Sequence, residues 1–182
     1  MAEAHAILAL GGNIGDVSTT MDEALRRLAT TNIRLLARSA DYLTPPWGKT
    51  DQPPFLNLCA EVATGLSPEG LLLACLAVEA ALGRIRREKW GPRVIDIDLI
   101  FYRGADGREV KMATETLTLP HPLTLERAFV VVPLAEIAPD LILSGRRIGD
   151  VAAELLPGSG IVRLERGAGP NPTIPVPVRS IG

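Results

Sequence analysis

The sequence predicts an α+β fold in which an antiparallel sheet packs against helices on one face. Short apolar runs rich in β-branched residues alternate with two segments of helical periodicity. The predicted elements follow the order βαββαβ, with further C-terminal helices, which is the order of the ferredoxin-like α/β sandwich. Apolar residues make up 47% of the 182 residues and charged residues 22%, so the chain can bury a full core.

The first half of the predicted core is a strand, a helix and a second strand, at residues 6–10, 18–30 and 33–42. Met21, Leu25 and Leu28 recur at the spacing of one helix face. The hydroxyl side chains of residues 18–20 are typical N-caps, so we expect the helix to begin there. The loop over 43–54 holds four prolines, which remove backbone donors and exclude regular structure.

The second half of the core repeats this order, with strands at 55–64 and 94–102 around a helix. Ser67 and Pro68 are a typical N-cap and first helical residue, and Gly83 is a typical stop. The predicted core is therefore complete by residue 102.

The chain after the core predicts a hairpin and two short helices, at 105–119, 130–138 and 148–156. Residues 167–182 are rich in proline and glycine, which is typical of a tail. We therefore expect one domain over residues 1–166.

Composition narrows the class of protein. A net charge of −2 argues against a general nucleic-acid binder. Cys59 and Cys75 lie in apolar runs, which favours reduced core residues over a disulfide. No apolar run approaches the length of a membrane span, and the N-terminus lacks the pattern of an export signal. We therefore expect a cytoplasmic protein without a membrane partner.

Two carboxylates interrupt the apolar strand at 94–102. Side chains alternate along a strand, so Asp96 and Asp98 share one face, with Cα atoms about 6.6 Å apart. The odd-numbered residues from Ile95 to Phe101 then form an apolar core face. Two neighbouring carboxylates repel each other and lose hydration, which is costly unless cations compensate.

Cations precede this strand, at Arg84, Arg86, Arg87, Lys89 and Arg93. Magnesium takes one or two carboxylates and completes its shell with substrate phosphates and water. The additional arginines are suited to phosphate oxygens. This combination is typical of phosphoryl transfer, although a solvated surface strand with ion-paired aspartates has the same pattern.

Seven segments carry a resemblance to a known family. They are LGGNIGD at 10–16, YLTPPWG at 42–48, QPPFLN at 52–57, GRIR at 83–86, KWGPRVIDIDLI at 89–100, LPHP at 119–122 and ERAFV at 126–130. Together they resemble the pterin pyrophosphokinases of folate synthesis, over residues 6–142. The resemblance implies that ATP gives its β,γ-pyrophosphoryl group to the hydroxymethyl group of 6-hydroxymethyl-7,8-dihydropterin, leaving AMP.

The resemblance also implies roles for individual residues. The catalytic set would be Arg84, Arg93, Asp96 and Asp98, with two Mg²⁺ ions held by Asp96 and Asp98. ATP would contact Glu79, Arg86, Trp90, Arg93, Leu99, Thr118, His121 and Arg127. The pterin would contact Thr44, Pro45, Pro46, Trp47, Phe55, Asn57, Asp96 and Phe129, with its ring between the two phenylalanines. The family resemblance further implies a monomer.

Some positions depart from the family pattern. Gly12 stands where serine is common, Leu76 where some members have a polar group, and Thr116 where some have a basic one. The arginine-rich loop is one residue shorter than in some members. These departures concern nucleotide binding and loop closure rather than the reaction.

Three other functions remain open at this point. One is a ferredoxin-like RNA-binding module whose arginine-rich loop grips a nucleic-acid backbone. Another is a degenerate homologue that binds pterin without catalysis. The last is a two-metal transferase that acts on a different acceptor.

Overall fold

The structure is a computed structural model that describes residues 3–29, 32–84 and 91–165. The core elements are β1 (Ala4–Gly12), α1 (Val17–Leu28), β2 (Ile33–Arg38), β3 (Asp41–Thr44), β4 (Phe55–Thr64), α2 (Pro68–Ala81) and β5 (Asp96–Arg103). The predicted α+β ferredoxin-like fold is confirmed. The single strand expected over 33–42 is wrong, because Ser39 interrupts it and accepts a hydrogen bond from the Cys59 amide at 3.0 Å.

The remaining elements extend this core. They are β6 (Met112–Ala113), β7 (Thr118–Leu119), a 3-10 helix (Thr124–Glu126), α3 (Ala128–Ile137), β8 (Ile142–Leu143), β9 (Arg146–Arg147), α4 (Ile148–Leu155) and β10 (Val162–Leu164). Strands β6 and β7 form the expected hairpin. Strand β10, which pairs with the outer edge of β3, was not predicted.

The main sheet has the order β10-β3-β4-β1-β5, and β2 pairs with the far end of β4. All these pairings are antiparallel. The long strands β1 and β4 therefore lie at the centre, and the last residues of β1 lie beside the first residues of β4 and β5.

Helices cover both faces of this sheet, so the expectation of helices on one face is wrong. One apolar cluster joins α1 and α2 to the sheet through residues such as Met21 and Leu71. A second cluster joins α3 and α4 to the opposite face through Leu134, Ile148 and Ile100. The second face is apolar too, and the two C-terminal helices bury it.

A β-bulge changes the side-chain alternation of β5. Leu8 lies opposite Leu99, but Ile7 lies opposite Phe101, so Ile100 is the extra residue. Leu99 packs on the α1 and α2 side, whereas Phe101 packs on the α3 and α4 side. The expected shared face of Leu99 and Phe101 is therefore wrong. Asp96 and Asp98 precede the bulge and keep the same face.

Side chains that directly precede α1 and α2 cap these two helices. Asp16, not residues 18–20, caps α1, and it accepts a hydrogen bond from the Thr19 amide at 3.1 Å. Ser67 caps α2 as predicted.

Both cysteines are free and buried, and burial raises the pKa of the Cys75 thiol to about 12. Within the described ranges, no helix has the length and apolar character needed to cross a membrane.

Candidate active site

Two cavities meet at the start of β5. The larger, of about 710 Å³, lies between α2, β5 and the β6–β7 hairpin. The smaller, of about 80 Å³, lies between β1, β3, β4 and the start of α3. Among the described residues, the charged side chains that line both cavities are Arg93, Asp96, Asp98 and Arg127.

The larger cavity brings together the described residues that were expected at the nucleotide. These are Glu79, Arg84, Arg93, Leu99, Thr118, His121 and Arg127. Leu76 and Thr116, two of the departures from the family pattern, also line it. Arg86 and Trp90 lie outside the described residues, as do Arg87 and Lys89.

The smaller cavity brings together most of the residues that were expected at the pterin. These are Thr44, Pro45, Trp47, Phe55, Asn57, Asp96 and Phe129. Pro46 is not part of its lining. The two predicted sets of residues are thus separated in space and joined at the carboxylates.

Asp96 is held by two arginines. Its Oδ1 lies 2.6 Å from Arg84 Nη1, and its Oδ2 accepts a hydrogen bond from Arg93. Arg84 also pairs with Glu79, a buried carboxylate whose Oε1 accepts a hydrogen bond from the Ile97 amide at 2.6 Å. Burial raises the pKa of Glu79, although the Ile97 amide and Arg84 oppose this shift. Glu79 therefore connects α2, β5 and Arg84.

Asp98 has a different environment from Asp96. Among the described residues it forms an ion pair with Arg127, whose Nη1 lies 3.8 Å from Oδ2, and its side chain is 38% exposed. Burial and the negative charge of Asp96 raise the pKa of Asp98 to about 7. His121 also lines the larger cavity, where burial and then the charge of Arg127 lower its pKa.

The carboxylate pair fits a metal that shares its ligands with a substrate. Among the described residues, no three His, Cys, Asp or Glu side chains form a group that could hold a metal alone. Asp96 and Asp98 instead offer two oxygen donors at the boundary of both cavities. Two carboxylates completed by phosphates and water are the ligand set that Mg²⁺ prefers.

Aromatic rings and guanidinium groups form the walls of the smaller cavity. Trp47 and Phe129 meet edge to face, with ring centroids 6.2 Å apart. Arg127 lies 5.1 Å from the Trp47 ring centroid and 5.7 Å from that of Phe129. Arg93 lies 5.8 Å from the ring centroid of Phe55. The arginines of the carboxylate cluster therefore also contact the aromatic walls.

The orientation of the Asn57 amide is determined by its neighbours. Asn57 Nδ2 donates a hydrogen bond of 2.7 Å to Thr44 Oγ1. Its Oδ1 lies against Gly11, where an added Cβ would approach it to 2.2 Å. Only glycine leaves room for this carbonyl oxygen.

Asn13 is a site residue that sequence reasoning missed. It is fully buried, and its Nδ2 donates to Gln52 Oε1 at 3.1 Å and to the Pro53 carbonyl at 3.0 Å. Its Oδ1 accepts from the Arg93 amide at 3.0 Å, and its own amide donates to the Arg93 carbonyl at 2.9 Å. Asn13 therefore joins three loops of the site. Its sequence signal was an asparagine in a glycine-rich loop after a buried strand.

Comparisons with known proteins show the family of this chain. The model of the 7,8-dihydro-6-hydroxymethylpterin-pyrophosphokinase family matches residues 7–139. A relative named 2-amino-4-hydroxy-6-hydroxymethyldihydropteridine pyrophosphokinase, from Methylorubrum extorquens, is 54% identical over 162 residues, which cover 88% of this chain and 99% of the relative. A relative of the same name from Synechocystis is 45% identical over 138 residues, covering 75% of this chain and 68% of the relative.

A solved structure extends the likeness to the fold. The wild-type HPPK-DHPS of Plasmodium falciparum matches with a TM-score of 0.65 at 15% identity, over 85% of this chain. This chain spans 44% of that longer protein. The match over residues 7–139 and the identities to the two bacterial relatives show that this chain belongs to the 7,8-dihydro-6-hydroxymethylpterin-pyrophosphokinase family and is a pyrophosphokinase.

Proposed function

We propose that this enzyme transfers the pyrophosphoryl group of ATP to the hydroxymethyl group of 6-hydroxymethyl-7,8-dihydropterin in folate synthesis. The observation that carries the proposal is the junction of two unlike cavities at Asp96 and Asp98. The large cavity has the charged lining that a triphosphate requires, and the narrow one has the aromatic walls that a flat heteroaromatic ring requires. Both substrates would thus meet at the carboxylates.

The transfer breaks one bond and forms one. The pterin hydroxyl oxygen attacks the β-phosphorus of ATP, and the bond from that phosphorus to the α,β-bridging oxygen breaks. AMP leaves, and the hydroxyl proton is released. Such a reaction requires positioning and charge stabilisation rather than a covalent protein intermediate.

In this reaction, we expect three arginines to leave their carboxylate partners and to bind the phosphates of ATP instead. Arg84, Arg93 and Arg127 each lie close to a carboxylate. Phosphate oxygens are equally good partners for a guanidinium group, so bound ATP would take over these hydrogen bonds. His121 would add a donor, Glu79 and Thr118 would lie near the ribose, and Leu99 near adenine. Arg86 and Trp90 remain proposed ATP contacts.

Asp96 and Asp98 would hold the two proposed Mg²⁺ ions. Bound magnesium would neutralise the charge of the phosphates and polarise the reacting phosphorus. When the arginines turn to the phosphates, the oxygens of Asp96 become available as ligands. Burial and the negative charge of Asp96 hold the pKa of Asp98 at about 7, so a bound cation would favour the charged form of this carboxylate.

Phe55 and Phe129 would contact the two faces of the pterin. Asn57 and the backbone of residues 44–47 would bind its polar edge, because an amide offers both a donor and an acceptor. The cavity of about 80 Å³ is small beside ligand pockets of about 300–1,000 Å³. We therefore expect the side chains of Trp47 and Arg127 to move when the pterin enters.

The test is an assay for AMP release from ATP and magnesium, with and without 6-hydroxymethyl-7,8-dihydropterin. AMP that depends on pterin, without ADP, is the expected result. AMP formed only with another acceptor would support a different two-metal transferase. Pterin binding without AMP would support a degenerate homologue, and salt-dependent RNA binding without turnover would support the RNA-binding module.

We also propose that the enzyme acts as a monomer, as the family resemblance implies. Sedimentation of the active protein at assay concentration checks this proposal. A dimer that loses activity on dilution would contradict it.

A further inference from the structure

A second polar cluster lies behind the smaller cavity, and the proposed reaction does not use it. It consists of Tyr42 on β3, Glu136 on α3 and Arg163 on β10, and we name it the β3–α3 bridge. The Tyr42 hydroxyl donates to Glu136 Oε2 at 2.5 Å, and the Ala40 amide donates to Glu136 Oε1 at 3.0 Å. Arg163 Nε donates to Oε2 at 3.3 Å.

The two elements joined by this bridge both contribute residues to the walls of the smaller cavity. Strand β3 ends at Thr44, which holds the amide of Asn57, and Pro45 follows it in the lining. Helix α3 begins at Ala128, and Phe129 and Val130 line the same cavity. The distance between these walls therefore depends on how β3 is held against α3.

The bridge has a defined charge state. Burial and the hydrogen bond to Glu136 raise the pKa of Tyr42 to about 12, so the phenol is the donor. Burial acts to raise the pKa of Glu136, but the hydrogen bonds from Tyr42, Arg163 and Ala40 outweigh it and lower that pKa. The carboxylate is therefore charged at neutral pH, and hydrogen bonds to charged groups are the stronger kind.

The C-terminal strand supports the bridge from outside. Strand β10 pairs with β3, with Arg163 opposite Tyr42. The chain enters β10 through Gly160, where an added Cβ would lie 3.0 Å from Pro45 Cγ. Arg163 therefore belongs to a segment that packs both on the bridge and on a residue of the cavity lining.

We propose that the β3–α3 bridge is a positioning device that holds the two walls of the smaller cavity at the spacing required by the pterin. This inference rests on the proposed function, because it assigns that cavity to the pterin. The bridge touches neither cavity, so its effect would be indirect. A pocket organised before the ligand arrives binds it more tightly, since less ordering accompanies binding.

The experiment compares Tyr42→Phe with Tyr102→Phe. Tyr102 is an equally buried tyrosine whose hydroxyl donates to the Leu66 carbonyl at 2.5 Å, and it lines neither cavity. For the full chain, the readouts are the Kd of 6-hydroxymethylpterin by calorimetry, the KM for each substrate and the melting temperature. We expect Tyr42→Phe to raise the pterin Kd about three- to tenfold with the KM for ATP unchanged. Tyr102→Phe should leave both constants unchanged.

A second pair of variants keeps the test informative if Tyr42→Phe folds poorly. Arg163→Met and Arg146→Met remove arginines that are 47% and 45% exposed, each in an ion pair with a glutamate. Only Arg163→Met should weaken pterin binding. Glu136→Gln keeps an acceptor for the Ala40 amide and should show a smaller loss than Glu136→Ala.

The outcomes separate the two proposals. If wild-type protein binds no pterin, the proposed function fails and this inference fails with it. If wild-type protein binds pterin and the bridge variants bind it equally tightly, the inference alone is overturned. A fall in melting temperature that is equal for Tyr42→Phe and Tyr102→Phe, without change in pterin affinity, would reduce the bridge to a purely structural role.

Discussion

Two clusters in this molecule combine aspartate with arginine, and they differ in access to solvent. In the fold cluster, Asp41 accepts from the Ser18 hydroxyl at 2.5 Å and from Arg38 at 2.7 Å, and its side chain is 7% exposed. In the site cluster, Asp96 is likewise bound through both oxygens, by Arg84 and Arg93. Asp96, however, lies on the wall of a cavity of about 710 Å³.

This difference shows what separates a structural ion pair from an exchangeable one. A buried pair that loses one partner leaves an uncompensated charge, so the fold cluster tolerates no exchange. In the site cluster, phosphates and metal ions from the cavity could replace either partner. The same residue types thus serve stability at one place and chemistry at the other.

The largest expected effect is that of Asp98→Ala on turnover. Loss of a proposed magnesium ligand should reduce pterin-dependent AMP formation about a thousandfold, while the protein folds normally. The measurement is kcat at saturating magnesium, with circular dichroism as the check of folding. Activity like that of the wild type would remove Asp98 from the ligand set.

The opposite effect is expected in the fold cluster. Arg38→Met leaves the buried carboxylate of Asp41 without its cation, which should lower the free energy of unfolding by about 3 kcal/mol. Urea unfolding measures this change, and kcat measured well below the melting temperature should stay within about twofold of wild type. An Arg38→Met variant that is stable but inactive would show that Arg38 belongs to the site cluster rather than to the fold cluster.

Arg93→Ala sharpens the comparison, because Arg84 still pairs with Asp96 in this variant. We expect kcat to fall about a hundredfold, with a smaller change in pterin Kd, since Arg93 serves charge that develops in the transition state. Arg103 is a matched control, because it lies 5.5 Å from the ring centroid of Phe101 and lines neither of the two cavities. If Arg93→Ala changes only pterin affinity, the assigned role is wrong.

Phe129→Ala tests the aromatic wall of the smaller cavity. We expect pterin binding to weaken by about 1 kcal/mol, because one ring face loses its partner. Phe129→Leu keeps the apolar bulk without the ring and serves as the control. An unchanged Kd for Phe129→Ala would assign this residue to the core rather than to the pterin.

The last prediction concerns pH and the stability of the metal-free protein. Burial and Asp96 raise the pKa of Asp98 from 3.8 to about 7 in the folded chain, so the folded state binds the proton more tightly than the unfolded state. Protonation of Asp98 therefore adds to the free energy of unfolding. This contribution is fully present below pH 4 and is lost as the pH rises to 7. Asp98→Asn should therefore gain stability relative to wild type over this range, as followed by melting temperature in EDTA. A difference in melting temperature between Asp98→Asn and wild type that does not change with pH would contradict the raised pKa of Asp98.

Much of the fold and site could be predicted because the signals are local. Helical spacing from Met21 to Leu28 placed α1, and the pair Ser67–Pro68 placed the start of α2. The alternation of a strand put Asp96 and Asp98 on one face without knowledge of any partner. The pattern of loop residues indicated the family. From that resemblance, residues could be assigned to the nucleotide or to the pterin without knowledge of the two cavities.

Features that depend on distant segments were missed. The bulge at Ile100 arises from pairing between β1 and β5, and the break at Ser39 arises from a contact with Cys59. Asn13 and Gln52 meet across 39 residues, and Tyr42 and Glu136 meet across 94. No window of sequence contains both partners of such contacts.

Short segments of the sequence were enough to predict most of the order of elements, the face shared by the two aspartates and the family, because periodicity, turn chemistry and motifs are local properties. The folded chain was needed to show which helices cover which face of the sheet, how three loops join at Asn13, and how β3 is held against α3. These arrangements depend on contacts between residues that are far apart in the sequence and meet only in the folded chain. Burial of the second sheet face makes them favourable.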